Sequence, residues 1–146
     1  MKISTMIRKF NEKDMDRIIT IWLEASIKAH DFIPIEFWKS KVNDMRETYI
    51  PASDTYVIEK EGKPHGFISL YNNTIAAIFV SPEMQRKGIG RKLISKAKQL
   101  HNNLTLTVYK ENPASIEFYK KCGFEIVQEK TDDHTGHPEI VMQFSG

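Results

Sequence analysis

Residues 80–91 carry most of the information about the fold, and they read Val80-Ser81-Pro82-Glu83-Met84-Gln85-Arg86-Lys87-Gly88-Ile89-Gly90-Arg91. The nearly all-apolar run at 74–80 leads into them and predicts a buried central strand. An apolar stripe at helical spacing begins inside them and predicts a helix over residues 88–101. The segment therefore predicts a glycine-containing loop between a buried strand and the beginning of a helix.

This loop has the chemistry of an anion-binding site. Gly88 and Gly90 let backbone N–H groups approach a ligand closely, and the following helix adds about half a positive charge at its N-terminus. Arg86, Lys87 and Arg91 supply full positive charges beside it. We therefore expect the loop to bind a pyrophosphate, although an ordinary loop before a helix would also use two glycines.

Two familiar phosphate-binding loops do not match the segment. A P-loop needs Lys-Ser/Thr after its last glycine, whereas Arg91 and Lys92 follow Gly90. The dinucleotide-binding fingerprint needs a third glycine, and that position holds Leu93. These two motifs therefore give no evidence that the expected pyrophosphate belongs to a nucleotide.

Away from this loop, the periodicity of apolar residues predicts alternating strands and helices. The capping pair Asn11 and Asp14 indicates the beginning of a first helix that continues to Ala29 and breaks over residues 30–34. Further helices are predicted at 35–49 and 112–122. Strands are predicted at 3–10, 55–59, 65–71, 74–80, 104–108, 125–130 and 140–144. This order, β-α-α-β-β-β-α-β-α-β-β, predicts an α/β sandwich with a mixed sheet.

Composition excludes several classes of protein. The 146 residues suit one domain, and a net charge of +2 is too small to favour nucleic acid as the main partner. A single cysteine, Cys122, rules out an internal disulfide and cysteine-rich zinc sites, and the histidines show no metal-ligand spacing. No apolar run reaches the roughly 20 residues of a membrane span, and no signal peptide is evident. We expect a cytoplasmic protein with no bound metal and no membrane partner.

Gln85-Arg86-Lys87-Gly88-Ile89-Gly90 resembles the Gln/Arg-x-x-Gly-x-Gly/Ala motif of the GNAT superfamily of N-acetyltransferases. The resemblance extends to a hairpin at 61–67 and to a block at 112–124, so it covers nearly the whole chain. Two shorter segments, 30–32 and 76–80, are similar to short bacterial members of the YjaB/YiaC type. The resemblance implies one GNAT domain over residues 1–146, with a largely antiparallel sheet of about seven strands and about four helices on both faces.

The resemblance also implies a cosubstrate, acetyl-CoA, and a role for each matching residue. The backbone at Phe79 and Val80 would hydrogen-bond the pantetheine and polarise the thioester carbonyl, and Tyr119 would protonate the departing thiolate. The cofactor-binding residues implied in this way are Phe79, Val80, Gln85, Arg86, Lys87, Gly88, Ile89, Gly90, Arg91 and Asn112.

Two of these residues also have purely structural interpretations. Asn112 precedes Pro113 and is a good helix N-cap, so capping alone could explain it. Tyr119 could be an amphipathic core tyrosine. The two residues are seven apart, which places them on one side of the predicted helix.

One departure from the family pattern concerns the base. Many members carry a glutamate on the strand before the motif, whereas residues 75–79 here contain no carboxylate. A base, or a chain of water molecules that conducts the proton, is needed because an alkylamine with a pKa of about 10.4 is almost entirely protonated at pH 7. His30, Asp31 and Glu36 are candidates, since in this fold their segment borders the acceptor cleft, but each is equally compatible with a solvated surface position.

The resemblance leaves the acceptor open. It predicts direct acetyl transfer to a primary amine, which could be a protein lysine, a protein N-terminus or a small molecule. Substrate-binding candidates are His30, Phe32 and Glu36, beside Trp22 and Trp38. Two alternatives remain: a catalytically inactive CoA-binding sensor or interaction module, and a binder of nucleotide phosphates. A homodimer is compatible with the resemblance, although the sequence carries no signal for one.

Overall fold

The computed structural model describes residues 5–146, which contain seven β-strands. Their bounds are β1 Met6–Lys9, β2 Asp54–Lys60, β3 Lys63–Tyr71, β4 Thr74–Val80, β5 Asn103–Tyr109, β6 Glu125–Thr131 and β7 Pro138–Ser145. They form one sheet in the order β1-β2-β3-β4-β5-β7-β6. All adjacent pairs are antiparallel except β4 and β5. The first strand is predicted to begin at residue 3, and residues 3 and 4 lie outside the described part of the chain.

Four longer α-helices connect these strands: α1 Met15–Ala29, α2 Ile35–Ser40, α3 Ile89–Leu100 and α4 Pro113–Lys121. The predicted capping pair is present: the Asn11 side chain accepts from the Lys13 N–H at 2.9 Å, and the Asn11 N–H donates to Asp14 at 2.9 Å. A short 3₁₀ turn, Glu12–Asp14, lies between this cap and α1.

The predicted helix over 35–49 is not continuous. It ends at Ser40 and resumes after Lys41 as a helical segment over 42–52, which is α-helical at Val42–Asp44, π-helical at Met45–Tyr49 and α-helical again at Ile50–Ala52. The cause is local: the Ser40 hydroxyl donates to the Phe37 carbonyl at 2.6 Å. The Lys41 N–H therefore bonds to Trp38, three residues back, at 3.0 Å.

Each face of the sheet has its own core, because adjacent strand residues point to opposite sides. Val57 and Phe67 pack with α1, α2 and the segment 42–52, whereas their neighbours Ile58 and Ile68 pack with α3. Helix α4 lies on the same face as α3, through Ile116, Phe118 and Tyr119. The structure thus confirms the predicted fold, a mostly antiparallel seven-stranded sheet with helices on both faces.

The parallel pair β4 and β5 separates soon after it forms. Thr74 pairs with Thr105, and the Thr105 N–H donates to the Asn73 carbonyl at 3.0 Å. No further β4–β5 register pair is found in the described residues. On its other side β4 remains paired with β3 up to Val80, with Ala76 as an extra residue between the pairs Leu70–Ile75 and Ser69–Ala77. The two strands therefore open a gap at their C-terminal ends.

Candidate active site

A cleft of about 770 Å³ occupies this gap between the strands. Its walls come from the C-terminal end of α1, from β4, from the loop that leads into α3, from the end of β5 and from α4. Alternate residues of a strand direct their backbone N–H groups to opposite sides. Because β5 has moved away, the β4 amides on that side have no strand partner and face the cleft. The cleft therefore offers fixed backbone donors to a bound ligand.

The loop at one end of the cleft has the geometry of an anion site. Arg86 and Gly88 both adopt positive φ, of 64° and 79°. The first hydrogen bond of α3 runs from the Lys92 N–H to the Gly88 carbonyl, at 3.1 Å. The N–H groups of residues 89–91 precede that bond and are free for a ligand. With Arg86 and Arg91 also lining the cleft, this end suits a diphosphate.

Glycine occupies the two loop positions, 88 and 90, for different structural reasons. A side chain at Gly88 would meet no atom within 4 Å, so this position requires glycine for its backbone conformation. A Cβ at Gly90 would lie 3.2 Å from Cζ of Phe118, a tight contact that glycine avoids where α3 packs on α4. Gly88 therefore shapes the loop, and Gly90 holds the two helices beside the cleft.

Tyr119 lines the cleft from α4 and is half-buried. Its ring packs edgewise on Phe118 and Phe124, with centroids 5.3 Å and 6.0 Å away. Burial raises the pKa of the Tyr119 hydroxyl, which therefore stays protonated across the physiological range. The hydroxyl forms no hydrogen bond to any residue in 5–146, so its proton is available to a ligand.

Asn112 lies at the start of α4 and serves as its N-cap. Its side-chain oxygen accepts from the Ser115 N–H at 3.3 Å, so the capping interpretation is correct. The same residue lines the cleft, and its Nδ2 lies 3.5 Å from Nε2 of His30. A cofactor contact is therefore compatible with the capping role.

A second cavity, of about 660 Å³, opens on the face of the sheet that carries α1 and α2. Its walls are mostly aromatic and apolar, and its aromatic residues are Trp22, Phe37, Trp38, Tyr49, Tyr71 and Tyr109. Trp22 and Trp38 belong to the core, with their rings edge to face at 6.0 Å. Two carboxylates, Asp132 and Glu139, also line this cavity, which gives an apolar chamber an acidic end.

The two cavities meet at the gap between β4 and β5. Four residues line both of them: Ala76, Ala77, Tyr109 and Glu139. Ala76 and Ala77 occupy the stretch of β4 that lacks the family glutamate, and their small side chains leave the junction open. Burial raises the pKa of the Glu139 carboxyl, and the nearby negative charge of Asp132 adds to this effect.

The structure brings together nearly all the residues that the sequence assigned to the cofactor. All of them except Lys87 line the cleft, and so does Tyr119. Lys87 is exposed on the loop, and its side chain is not part of the cleft wall.

The substrate-binding candidates are more scattered. His30 is buried and lines the cofactor cleft rather than the second cavity, and burial lowers its pKa, which favours the neutral ring. Phe32 packs on Tyr109 and His137, at centroid distances of 5.6 Å and 5.1 Å, outside both cavities. Glu36, like Asp31, is exposed and lines neither cavity.

Three residues of the site were missed in the sequence: Tyr109, Asp132 and Glu139. The Tyr109 hydroxyl donates to Asp132 at 2.7 Å, which joins the end of β5 to the loop between β6 and β7. Glu139 is the second residue of β7 and immediately precedes the predicted strand at 140–144. The sequence signal for Glu139 was a single carboxylate at the start of an apolar strand. Such a signal does not indicate which residues lie beside it in the fold.

Comparison with known proteins agrees with this geometry. The family described as acetyltransferase (GNAT) domain matches residues 51–126. The chain is 34% identical over 140 residues to the peptidyl-lysine N-acetyltransferase YiaC of Escherichia coli K12, covering 95% of this chain and 96% of that protein. It is 27% identical to the peptidyl-lysine N-acetyltransferase YjaB of the same strain, covering 95% of each. The solution structure of apo YjaB from E. coli matches with a TM-score of 0.87 at 26% identity, covering 98% of this chain and 99% of that chain.

Proposed function

The chain belongs to the GNAT acetyltransferase family, whose members transfer an acetyl group from acetyl-CoA to an amine, and from this premise we propose that its acceptor is the ε-amino group of a protein or peptide lysine. The observation that carries the proposal is the meeting of the two cavities at Ala76, Ala77, Tyr109 and Glu139. An acetyl thioester that enters from one cavity and an amine that enters from the other would meet at the opening between the strands.

The cofactor would lie in the cleft of about 770 Å³. The N–H groups of residues 89–91, with Arg86 and Arg91, would bind its diphosphate. The pantetheine arm would run along the free edge of β4, and the N–H of Val80 would donate to the thioester oxygen, since the Ser81 N–H bonds to His65 on β3 and the N–H of Val80 points the other way. A fixed donor to the negative charge that develops on this oxygen contributes on the order of 3 kcal/mol.

Tyr119 would act on the sulfur. When the tetrahedral intermediate collapses, the C–S bond breaks and the thiolate of CoA needs a proton. A phenol that burial keeps protonated, and that no residue in 5–146 engages, can supply it. This role depends on the cleft-facing position of Tyr119, not on the general presence of a tyrosine in α4.

The second cavity suits a lysine side chain. Its aromatic walls can cover the aliphatic stem, while Asp132 and Glu139 can attract the ammonium end. Both E. coli relatives are named as peptidyl-lysine acetyltransferases, which supports the same acceptor for this chain. Neither name supports the alternative of an inactive CoA-binding module.

Acceptor preference can be tested with three amines at equal concentration. The first is a peptide with a blocked N-terminus and one lysine; the second has a free N-terminus and arginine in place of the lysine; the third is a polyamine. We expect kcat/KM to be highest for the lysine peptide, measured as CoA release and located by mass spectrometry. A higher value for either other amine would refute the lysine assignment and leave acetyl transfer itself intact.

A cytoplasmic location fits the single cysteine, which is buried and unbridged, since disulfides are rare in reducing compartments. Three predictions from the sequence stay predictions. They are a single domain over residues 1–146, a homodimer, and the absence of nucleic acid among the partners. Within residues 5–146, no helix combines the length and the hydropathy of a transmembrane helix.

A further inference from the structure

The acceptor amine must lose a proton before it can attack, and β4 lacks the carboxylate that would take it. A lysine ammonium has a pKa of about 10.4, so only about one molecule in a few thousand is neutral at pH 7. Residues 75–79 of β4 offer apolar side chains only. A side chain that acts as the base must therefore belong to another element that reaches the opening.

Glu139 is placed at that opening by the register of β7 against β5. It pairs with Tyr109, while the next pair along the ladder is Val108 with Ile140. Val108 and Ile140 belong to the core under α3, whereas Tyr109 packs with the core under α1. Directly paired residues share a face, so Glu139 points to the α1 side, where the second cavity lies. It is the one carboxylate among residues 5–146 that lines both cavities.

Asp132, the other carboxylate of the second cavity, already accepts hydrogen bonds from neighbouring residues. Its oxygens accept from the Tyr109 hydroxyl at 2.7 Å, from the Thr135 hydroxyl at 2.7 Å and from the His134 N–H at 3.2 Å. These bonds hold the pKa of Asp132 below its ordinary value, although burial acts in the opposite direction. The Glu139 carboxylate accepts no hydrogen bond from any residue in 5–146. It is therefore free to meet an incoming amine.

The surroundings of Glu139 raise its proton affinity. Burial is the main cause of its raised pKa, followed by the charge of Asp132. The other groups that face it are Tyr109 on β5, Lys130 on β6, and Asp133 and His134 in the loop between β6 and β7. Lys130 and His134 act in the opposite direction and moderate the rise. A carboxylate with a raised pKa is a better match for a general base near neutral pH.

We propose that Glu139 is the catalytic base of this enzyme and accepts a proton from the acceptor ammonium in place of the missing carboxylate on β4. The inference rests on the proposed function, since it needs a cationic amine in the second cavity. Proton transfer to Glu139 leaves a neutral amine, whose nitrogen attacks the thioester carbon. The C–S bond then breaks, the nitrogen loses its second proton and the thiolate gains one. The products are the amide and CoA, with one proton released to solvent.

The test compares Glu139→Gln with the wild type on two acceptors that differ in their need for a base. One is the blocked lysine peptide, and the other is a small amine of low pKa, such as trifluoroethylamine, which is already neutral at pH 8. We expect E139Q to lower kcat/KM for the lysine peptide by about 100-fold or more and to change it far less for the low-pKa amine. The Kd for acetyl-CoA should stay within about twofold.

Two further variants keep the result interpretable. Glu125→Gln makes the same change at an exposed position on β6 and should leave both activities unchanged. Glu139→Asp keeps a carboxylate on a side chain that is one methylene shorter. We expect it to be more active than E139Q on the lysine peptide, a difference that a merely structural role of Glu139 does not predict. It also replaces E139Q if that variant fails to fold.

Two outcomes would overturn the role of Glu139: full activity of E139Q on the lysine peptide, or an equal loss on both amines. Failure of the proposed function looks different. If the wild type does not acetylate lysine peptides but acetylates another cationic amine, the acceptor assignment fails. The comparison of E139Q with the wild type, made on that amine, still decides whether Glu139 is the base.

Discussion

Tyr119 and Glu139 line the same cleft from opposite faces of the sheet. Tyr119 reaches it from α4, on the face that carries α3, and Glu139 reaches it from β7, on the face that carries α1. The opening between β4 and β5 connects the two faces. In the proposed reaction, the proton donor would therefore stand on the side where the thiol leaves, and the proton acceptor on the side where the amine enters.

Replacement of Tyr119 by phenylalanine should separate chemistry from binding. The Tyr119→Phe variant keeps the ring that packs on Phe118 and Phe124 but loses the hydroxyl, so we expect kcat to fall by about 100-fold. The Kd for acetyl-CoA, measured by calorimetry, should change less than about threefold. Tyr56→Phe is the matched control, since Tyr56 packs on the same core outside the cleft. An unchanged kcat in Y119F would remove the acid role.

Adjacent basic residues of the loop should contribute unequally to cofactor affinity. Arg86 lines the cleft and Lys87 does not. We expect Arg86→Ala to weaken acetyl-CoA binding by about tenfold or more, because it removes a charge-assisted contact to the diphosphate. Lys87→Ala removes the same charge from the neighbouring position and should have a much smaller effect. Equal losses in the two variants would mean that general charge, not the geometry of the loop, attracts the cofactor.

Glycine at position 88 should matter for the cofactor and not only for the fold. Gly88 and Gly62 share a backbone conformation, with φ of 79° and 80°, and a Cβ added at either position would have no atom within 4 Å. A valine at either position is strained in the left-handed region, so both variants should lose similar stability, on the order of 1–2 kcal/mol. Only Gly88→Val should abolish acetyl-CoA binding. Loss of binding in Gly62→Val as well would point to global damage instead.

Acid should weaken the attachment of β1 to the first helix. Arg8 forms hydrogen bonds to Asp14 at 2.8 Å and 2.9 Å, and this contact lowers the pKa of Asp14 below its ordinary value of 3.8. A carboxyl with a lowered folded-state pKa stabilises the fold above its unfolded pKa, and that stability is lost as pH falls through the folded pKa. We expect Asp14→Asn to lower the free energy of unfolding by about 2 kcal/mol at pH 7. Denaturant unfolding should show the gap to the wild type closing below about pH 4.

Local sequence patterns were sufficient for most of the fold and for the cofactor half of the site. The apolar run before Ser81 and the stripe after Gly88 predicted β4 and α3 within a residue or two of their observed ends. The family motif identified the loop that lines one end of the cleft, because the motif consists of consecutive residues. Asn112 and Tyr119 were also predictable, since one helix positions both.

The acceptor half of the site depends on contacts between distant segments. Glu139 becomes a candidate base only through its pairing with Tyr109, 30 positions earlier in the chain. Nothing in the residues around Glu139 specifies that register. The break at Lys41 was missed for a smaller reason: the Ser40 hydroxyl takes the Phe37 carbonyl, and helical periodicity does not report such a side-chain bond.

We propose that this protein moves an acetyl group from acetyl-CoA to a lysine amine, and product formation by the wild-type chain tests this directly. Purified protein is mixed with acetyl-CoA and the blocked single-lysine peptide, and thiol release and peptide mass are followed together. We predict one CoA thiol released for each acetyl group gained on the lysine. Acetyl-CoA that binds without any transfer to lysine or another amine would contradict this claim and leave a CoA-binding module in place of an enzyme.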